Sequence, residues 1–312
     1  MKDRQLKPLE GIIVPLVTPL SGNDRIDIKG LNNLIEHVIQ GGVHGIFILG
    51  TTGEAQSLSM KQREEMIKET SRILKNRLPL LVGVSDTSIS DSAALAQKAY
   101  EAGAYAVVAT PPYYFATDQS ELIEYFENLV SALPLPLFLY NMPVHTKVAF
   151  DAKTIKRIAQ NKKVIGFKDS SANGTYLQTV MYTMKENPEF MIFVGPEEMT
   201  AEMVLMGANG GVNGGANLFP ELYVELYNAA KAHHIEKVRT LQQKVMRIST
   251  GIYSKSTYAS SYLKGLKCAL SIAGICNDFP AMPFTHFDKE YRNEIEKAMM
   301  EIENVLNAEK IK

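Results

Sequence analysis

The order of apolar runs and helix-spaced segments predicts an α/β chain folded as a (β/α)8 (TIM) barrel with a C-terminal helical appendage. Three observations carry that prediction. Eight short apolar runs recur, each followed by a segment with amphipathic helical spacing. The alternation then stops near Ala232, and only helical patterns follow. Finally, the turn after the first run, Thr18-Pro-Leu-Ser-Gly-Asn23, has no glycine-rich phosphate loop of the kind expected in a doubly wound open sheet.

The strands are expected at residues 11–17, 45–49, 80–84, 104–109, 135–140, 164–167, 191–194 and 210–212. Helices between them include 28–40, 59–75, 91–101, 118–133 and 151–161. Ser59 with Gln62 and Asp118 with Glu121 have capping-box spacing, and Asp151 can cap the helix it opens. Glycines mark several helix exits, at Gly41–Gly42, Gly103 and Gly207. The barrel is assigned to residues 1–231 and the helical region to 232–312, with helices at 235–248, 258–273 and 287–307. The loop 277–285, carrying Pro280 and Pro283, separates the last two.

Composition narrows the function. Apolar residues make up 46% of the 312 and charged residues 21%, which is ordinary for a folded globular chain. Lys plus Arg number 33 against 34 Asp plus Glu, so no basic surplus exists to bind nucleic acid. No apolar run reaches the length of a membrane helix, and the N-terminal MKDRQLKPLE lacks a signal-peptide core, so a cytoplasmic protein is expected. Cys268 and Cys276 exclude a disulfide framework and read as core packing. The histidines 37, 44, 145, 233, 234 and 286 show no metal-ligand spacing beyond one adjacent pair, and no metal is expected.

In such a barrel the chemistry lies where strands end. The sixth run ends Val164-Ile-Gly-Phe-Lys-Asp-Ser-Ser171. Strand parity puts Val164, Gly166 and Lys168 inside, with Ile165 and Phe167 toward the helices, and Gly166 is expected to leave room for the lysine stem. Burial disfavours an ammonium, which suits Lys168 to attack a ketone as the neutral amine. The plainer alternative is a lysine paired with Asp169 or snorkelling to the rim. The fifth run places Phe138 and Tyr140 on its inner parity, beside Lys168, where a phenol can relay protons or act as an aromatic plug. The second run ends Gly50-Thr-Thr-Gly-Glu54, whose Thr51 and Thr52 offer hydroxyls and N–H groups to a carboxylate, or form an ordinary turn.

Gly50-Thr-Thr-Gly-Glu54, Tyr140-Asn-Met-Pro143 and Gly166-Phe-Lys-Asp169 together resemble the dihydrodipicolinate synthase/N-acetylneuraminate lyase family in order and spacing, along nearly the whole chain. The resemblance implies class I aldolase chemistry through a lysine–pyruvate imine, with a small keto acid substrate, no separate cofactor and usually a homotetramer. It makes Lys168 the Schiff-base lysine, Tyr140 the proton relay, and Thr51 and Thr52 the carboxylate binders. In Thr110-Pro-Pro-Tyr-Tyr114, Tyr114 resembles a tyrosine that reaches a neighbouring subunit's relay, or else an interface aromatic. Three consecutive aromatics, residues 113–115, also point to self-association. Gly195, Ser170 and Val212 join the expected substrate-binding set.

Two departures bear on the substrate. The synthase's carboxylate-gripping arginine position is His145 here, and imidazole lacks the permanent guanidinium fork. Val194-Gly-Pro-Glu-Glu198 resembles the lyase's pair of acids, so Glu197 and Glu198 are expected to bind hydroxyls of a sugar-acid tail, or to serve a helix N-terminus. The lyase's tail-binding serine aligns with Gly214. The expected function is cleavage of a 2-keto-3-deoxy sugar acid to pyruvate and an aldehyde, with dihydrodipicolinate synthesis and sugar-acid dehydration as alternatives. A non-catalytic sugar-acid-binding regulator is the remaining one, and it should have lost Lys168 or Tyr140.

Overall fold

The computed structural model describes residues 8–22 and 25–307. Residues 1–7 of the N-terminal segment, where no signal-peptide core is expected, lie outside the described residues, as does Asn23. Eight parallel strands form a closed barrel in sequential order: β1 (Gly11–Pro15), β2 (Gly45–Ile48), β3 (Leu80–Gly83), β4 (Ala106–Ala109), β5 (Leu137–Asn141), β6 (Val164–Asp169), β7 (Met191–Val194) and β8 (Gly210–Val212). Closure is made by β8 on β1, with Gly11 opposite Gly210 and Ile13 opposite Val212. Because side chains alternate along a strand, one set fills the barrel and the other packs under the helices. Ile13, Phe47, Leu81, Val108, Phe138 and Phe193 form the inner cluster. Ile12, Ile46, Val82, Val107, Leu139 and Phe167 belong to the larger outer core.

The helices follow their sequence signals. They are α1 (Ile28–Gln40), α2 (Met60–Leu74), α3 (Ile89–Glu101), α4 (Gln119–Ala132), the single turn α5 (Pro143–Thr146), α6 (Ala152–Ile158), α7 (Gly174–Met184), α8 (Thr200–Leu205) and α9 (Pro220–Lys231). Both capping boxes form, at Ser59 with Gln62 and at Asp118 with Glu121. Asp151 departs from expectation. It occupies the N-cap position of α6, but its side chain makes no capping bond, and its backbone N–H donates to Gln119 Oε1 at 2.9 Å.

The C-terminal region contains α10 (Ile235–Ile248), α11 (Ser261–Ile272) and α12 (Lys289–Asn307). A π-helical turn, Ser249–Tyr253, continues α10 and turns Tyr253 into the protein, where it is buried. Helix α11 begins three residues later than the pattern suggested, at Ser261 rather than Tyr258. Among the described residues no helix is long and apolar enough to cross a membrane.

Candidate active site

Strands β5 and β6 set the centre of the site. Their register puts Tyr140 directly beside Lys168. Lys168 is 7% exposed and Tyr140 4%, so both lie within the barrel rather than on its rim. Lys168 Nζ sits 3.9 Å from the centre of the Tyr140 ring and 5.1 Å from that of Phe47. Asp169, on the opposite parity, accepts from Asn141 Nδ2 at 2.8 Å and from the Ser171 hydroxyl at 2.8 Å.

Two details of β6 differ from the parity argument. A bulge pairs Leu137 with Val164 and Phe138 with Gly166, skipping Ile165. Val164 therefore joins the outer core, while Ile165 packs against the inner cluster. Parity holds only from Gly166 onward. Nor does Gly166 make room for the lysine stem: a Cβ there would lie 2.3 Å from Phe138 Cε1 and 2.6 Å from the Met191 carbonyl oxygen. The space belongs to the Phe138 ring.

The Gly50–Glu54 turn brings its threonines to this centre. Thr51 Oγ1 lies 3.1 Å from the Tyr140 hydroxyl, and Thr52 Oγ1 lies 3.1 Å from that of Tyr262. Burial alone would raise the Tyr140 pKa. The Lys168 charge, with hydrogen bonds from Thr51, Ser170 and Lys168, outweighs it and holds the phenol below its ordinary value. Such a phenol gives up its proton readily.

The turn is held by contacts that sequence reasoning missed. Leu49 and Glu54 adopt left-handed φ values of 58° and 56°, uncommon for residues with side chains. Thr18 donates to the Gly53 carbonyl at 2.7 Å. Glu54 forms a buried ion pair with Lys267 of α11 and accepts from the Ala281 N–H at 2.7 Å, while Lys267 also donates to the Phe279 carbonyl at 2.6 Å. The signal was present as one lysine in the apolar stretch Leu266-Lys-Cys-Ala-Leu270. Its partner, 213 positions away, was not legible.

The remaining expected residues divide. Ser170 hydrogen-bonds Tyr140, and Gly195 makes way for it, since a Cβ there would lie 2.1 Å from Ser170 Oγ. Val212 is buried at the end of β8 and lines, with Phe47, Phe138, Phe193 and Lys168 itself, a small apolar cavity inside the barrel. His145 stands exposed on α5, immediately beyond β5, yet desolvation there lowers its pKa and favours neutral imidazole. Tyr114 is 74% exposed and edge-on to Phe115, pointing into solvent rather than toward Lys168 of its own barrel.

The two acids depart most from expectation. Glu197 is buried, and its carboxylate accepts from the hydroxyls of Tyr223 and Tyr253 and from the Gly215 N–H, the last two at 3.0 and 2.9 Å. Glu198 accepts from the Ser249 hydroxyl and lines a groove formed with α10. Neither carboxylate is directed to the mouth. Their acceptor capacity is used to join the end of β7 to the C-terminal helices.

Comparison with known proteins gives the same architecture and motifs a lineage. The profile of the dihydrodipicolinate synthetase family matches residues 8–302. The chain is 31% identical, over 83% of its length and 86% of the relative's, to the Escherichia coli K12 protein named probable 2-dehydro-3-deoxy-D-pentonate aldolase YjhH. It is 27% identical to the 4-hydroxy-tetrahydrodipicolinate synthase of Kosmotoga olearia, covering 93% of this chain and 97% of that one. Among solved structures, dihydrodipicolinate synthase from Bacteroides thetaiotaomicron superposes with a TM-score of 0.92 at 64% identity, covering 94% and 99% of the two chains. YagE from Escherichia coli K12, solved in complex with pyruvate, gives 0.89 at 26% identity, covering 94% and 98%. With its closed barrel and a family match running from the first strand into the last helix, the chain belongs to the dihydrodipicolinate synthetase family and is an enzyme of the lyase–aldolase class.

Proposed function

We propose that the protein is a pyruvate-dependent aldolase working through a Lys168 imine, and that its substrate is a 2-keto-3-deoxy sugar acid. The observation that carries the chemistry is the juxtaposition of Lys168 Nζ, 3.9 Å from the Tyr140 ring centre, with Thr51 on the Tyr140 hydroxyl. The Lys168 amine, once it has given up its ammonium proton, attacks the C2 carbonyl of the keto acid. Tyr140 delivers a proton to the carbinolamine oxygen, which leaves as water to give the imine. Loss of the C4 hydroxyl proton breaks the C3–C4 bond, releases the aldehyde and leaves its electron pair on the enamine. Protonation at C3 and hydrolysis then return pyruvate and the free lysine. No metal or dissociable cofactor enters this sequence.

His145 favours a sugar acid over an anionic aldehyde, because its neutral imidazole supplies no fixed positive fork at the rim. The synthase reading stands second. It is favoured by the diversion of Glu197 and Glu198 into the fold, which removes negative charge from the path of an anionic aldehyde. The 64% identity to a protein described as a dihydrodipicolinate synthase supports it as well. A panel of 2-keto-3-deoxy acids assayed beside pyruvate plus aspartate semialdehyde separates the two. The expected result is higher kcat/KM for a keto-deoxy acid, with pyruvate as product. A deoxygenated keto acid as product makes the enzyme a dehydratase, and highest kcat/KM for the semialdehyde restores the synthase assignment.

A further inference from the structure

We infer that the Tyr262 hydroxyl is a substrate-binding group, hydrogen-bonding a hydroxyl of the aldehyde-derived half of the substrate. Tyr262 comes from α11, outside the barrel, and its phenol lies across the mouth from the end of β2 to the end of β8. At one side it meets Thr52 Oγ1 at 3.1 Å. At the other it occupies the place a side chain at 214 would need, since a Cβ on Gly214 would lie 1.8 Å from the Tyr262 oxygen. The ring is held edge-on to Tyr253 at 4.8 Å between centres.

The helix that presents this phenol is fixed to the same turn. Lys267, five residues along α11, is paired with Glu54, and Gly265 packs so closely that a Cβ there would lie 2.2 Å from the Ile252 carbonyl oxygen. The hydroxyl is thus presented without a reordering cost on binding. A phenol offers one donor and two acceptor sites, and Thr52 engages one of them. Burial, with the Glu197 charge nearby, holds the phenol above its ordinary pKa, so it stays protonated at neutral pH. In the ring of eight strands β1 lies opposite β5, which carries Tyr140. A group over β1 therefore meets what projects away from the imine, and a neutral phenol suits a neutral hydroxyl there.

The inference rests on the Lys168 imine reading and is tested by condensation of pyruvate with glycolaldehyde against acetaldehyde, which lacks the hydroxyl. The wild-type chain should favour glycolaldehyde. In Tyr262→Phe the ratio of kcat/KM values should fall about tenfold, the ordinary net worth of one hydrogen bond. Gly214→Ala, which must displace the phenol, should reproduce the fall. A wild-type chain indifferent to the two aldehydes, or a ratio unchanged in both variants, overturns the inference. So does weakened borohydride trapping of pyruvate with an unchanged ratio, which would make Tyr262 a support for Thr52. Failure of the wild-type chain to trap pyruvate at all removes the imine reading itself, and the inference with it.

Discussion

Tyr140 stands between opposed influences: burial favours its neutral form, and the adjacent Lys168 charge with three hydrogen bonds favours the phenolate. That balance suits a group that must both give and take a proton. Tyr140→Phe is expected to lower kcat by roughly 10²–10⁴-fold while pyruvate still binds, measured under conditions where chemistry limits turnover. His145→Arg would place a permanent fork at the rim and should raise kcat/KM for aspartate semialdehyde about tenfold or more relative to a keto-deoxy acid. Glu197 belongs to stability. Burial pushes its carboxyl up to about 7 from an ordinary 4.5, so between those values the native state holds the proton that the unfolded chain releases. The associated stability is full below about pH 4.5 and is lost as pH rises toward 7, by roughly 3 kcal/mol. Thermal melts from pH 5 to 7.5 should show a steeper decline for wild type than for Glu197→Gln. The inward parity of Lys168 and Tyr140 was legible because a strand has a fixed period of two. The fate of Glu197 was not, because its partners Tyr223 and Tyr253 arrive from 26 and 56 residues away.

At the scale of elements, the turn after β2 depends on a helix outside the barrel. Two left-handed residues bracket the turn, and the Glu54–Lys267 pair with the Ala281 N–H closes it against α11. Lys267→Met leaves Glu54 charged, buried and short of its counter-ion, a change expected to cost about 3–5 kcal/mol in denaturant unfolding. Adding Glu54→Gln should cost much less than the sum of the two single changes, because the stranded charge is gone. Local signals of capping and amphipathic spacing were sufficient for α1, α2 and α4. The β5–β6 bulge left no such mark, since Val164 and Ile165 are both apolar and either can face the core.

For the whole molecule, the barrel brings to one end side chains from β2, β5, β6, β7 and β8, and the C-terminal region covers part of that end with Tyr262. Closure of the sheet was predictable from eight alternating units; the helix placed over the mouth was not, since amphipathic spacing says which face is buried but not against what. On the same end of the barrel, Tyr114 and Phe115 stand 74% and 77% exposed as an edge-to-face pair. Self-association through that pair is expected. Sedimentation should show an oligomer at micromolar concentration, and Tyr114→Ser with Phe115→Ser should shift it to smaller species. A purely monomeric wild-type chain would leave Tyr114 with no neighbouring relay to join.

The imine at Lys168 is the claim on which the rest depends, and one measurement reaches it directly. The protein is incubated with pyruvate, reduced with borohydride and mapped by peptide mass. A pyruvate-dependent adduct is expected on Lys168, with Tyr140 and Thr51 beside it. An adduct on any other lysine, or no pyruvate-dependent adduct at all, would contradict it.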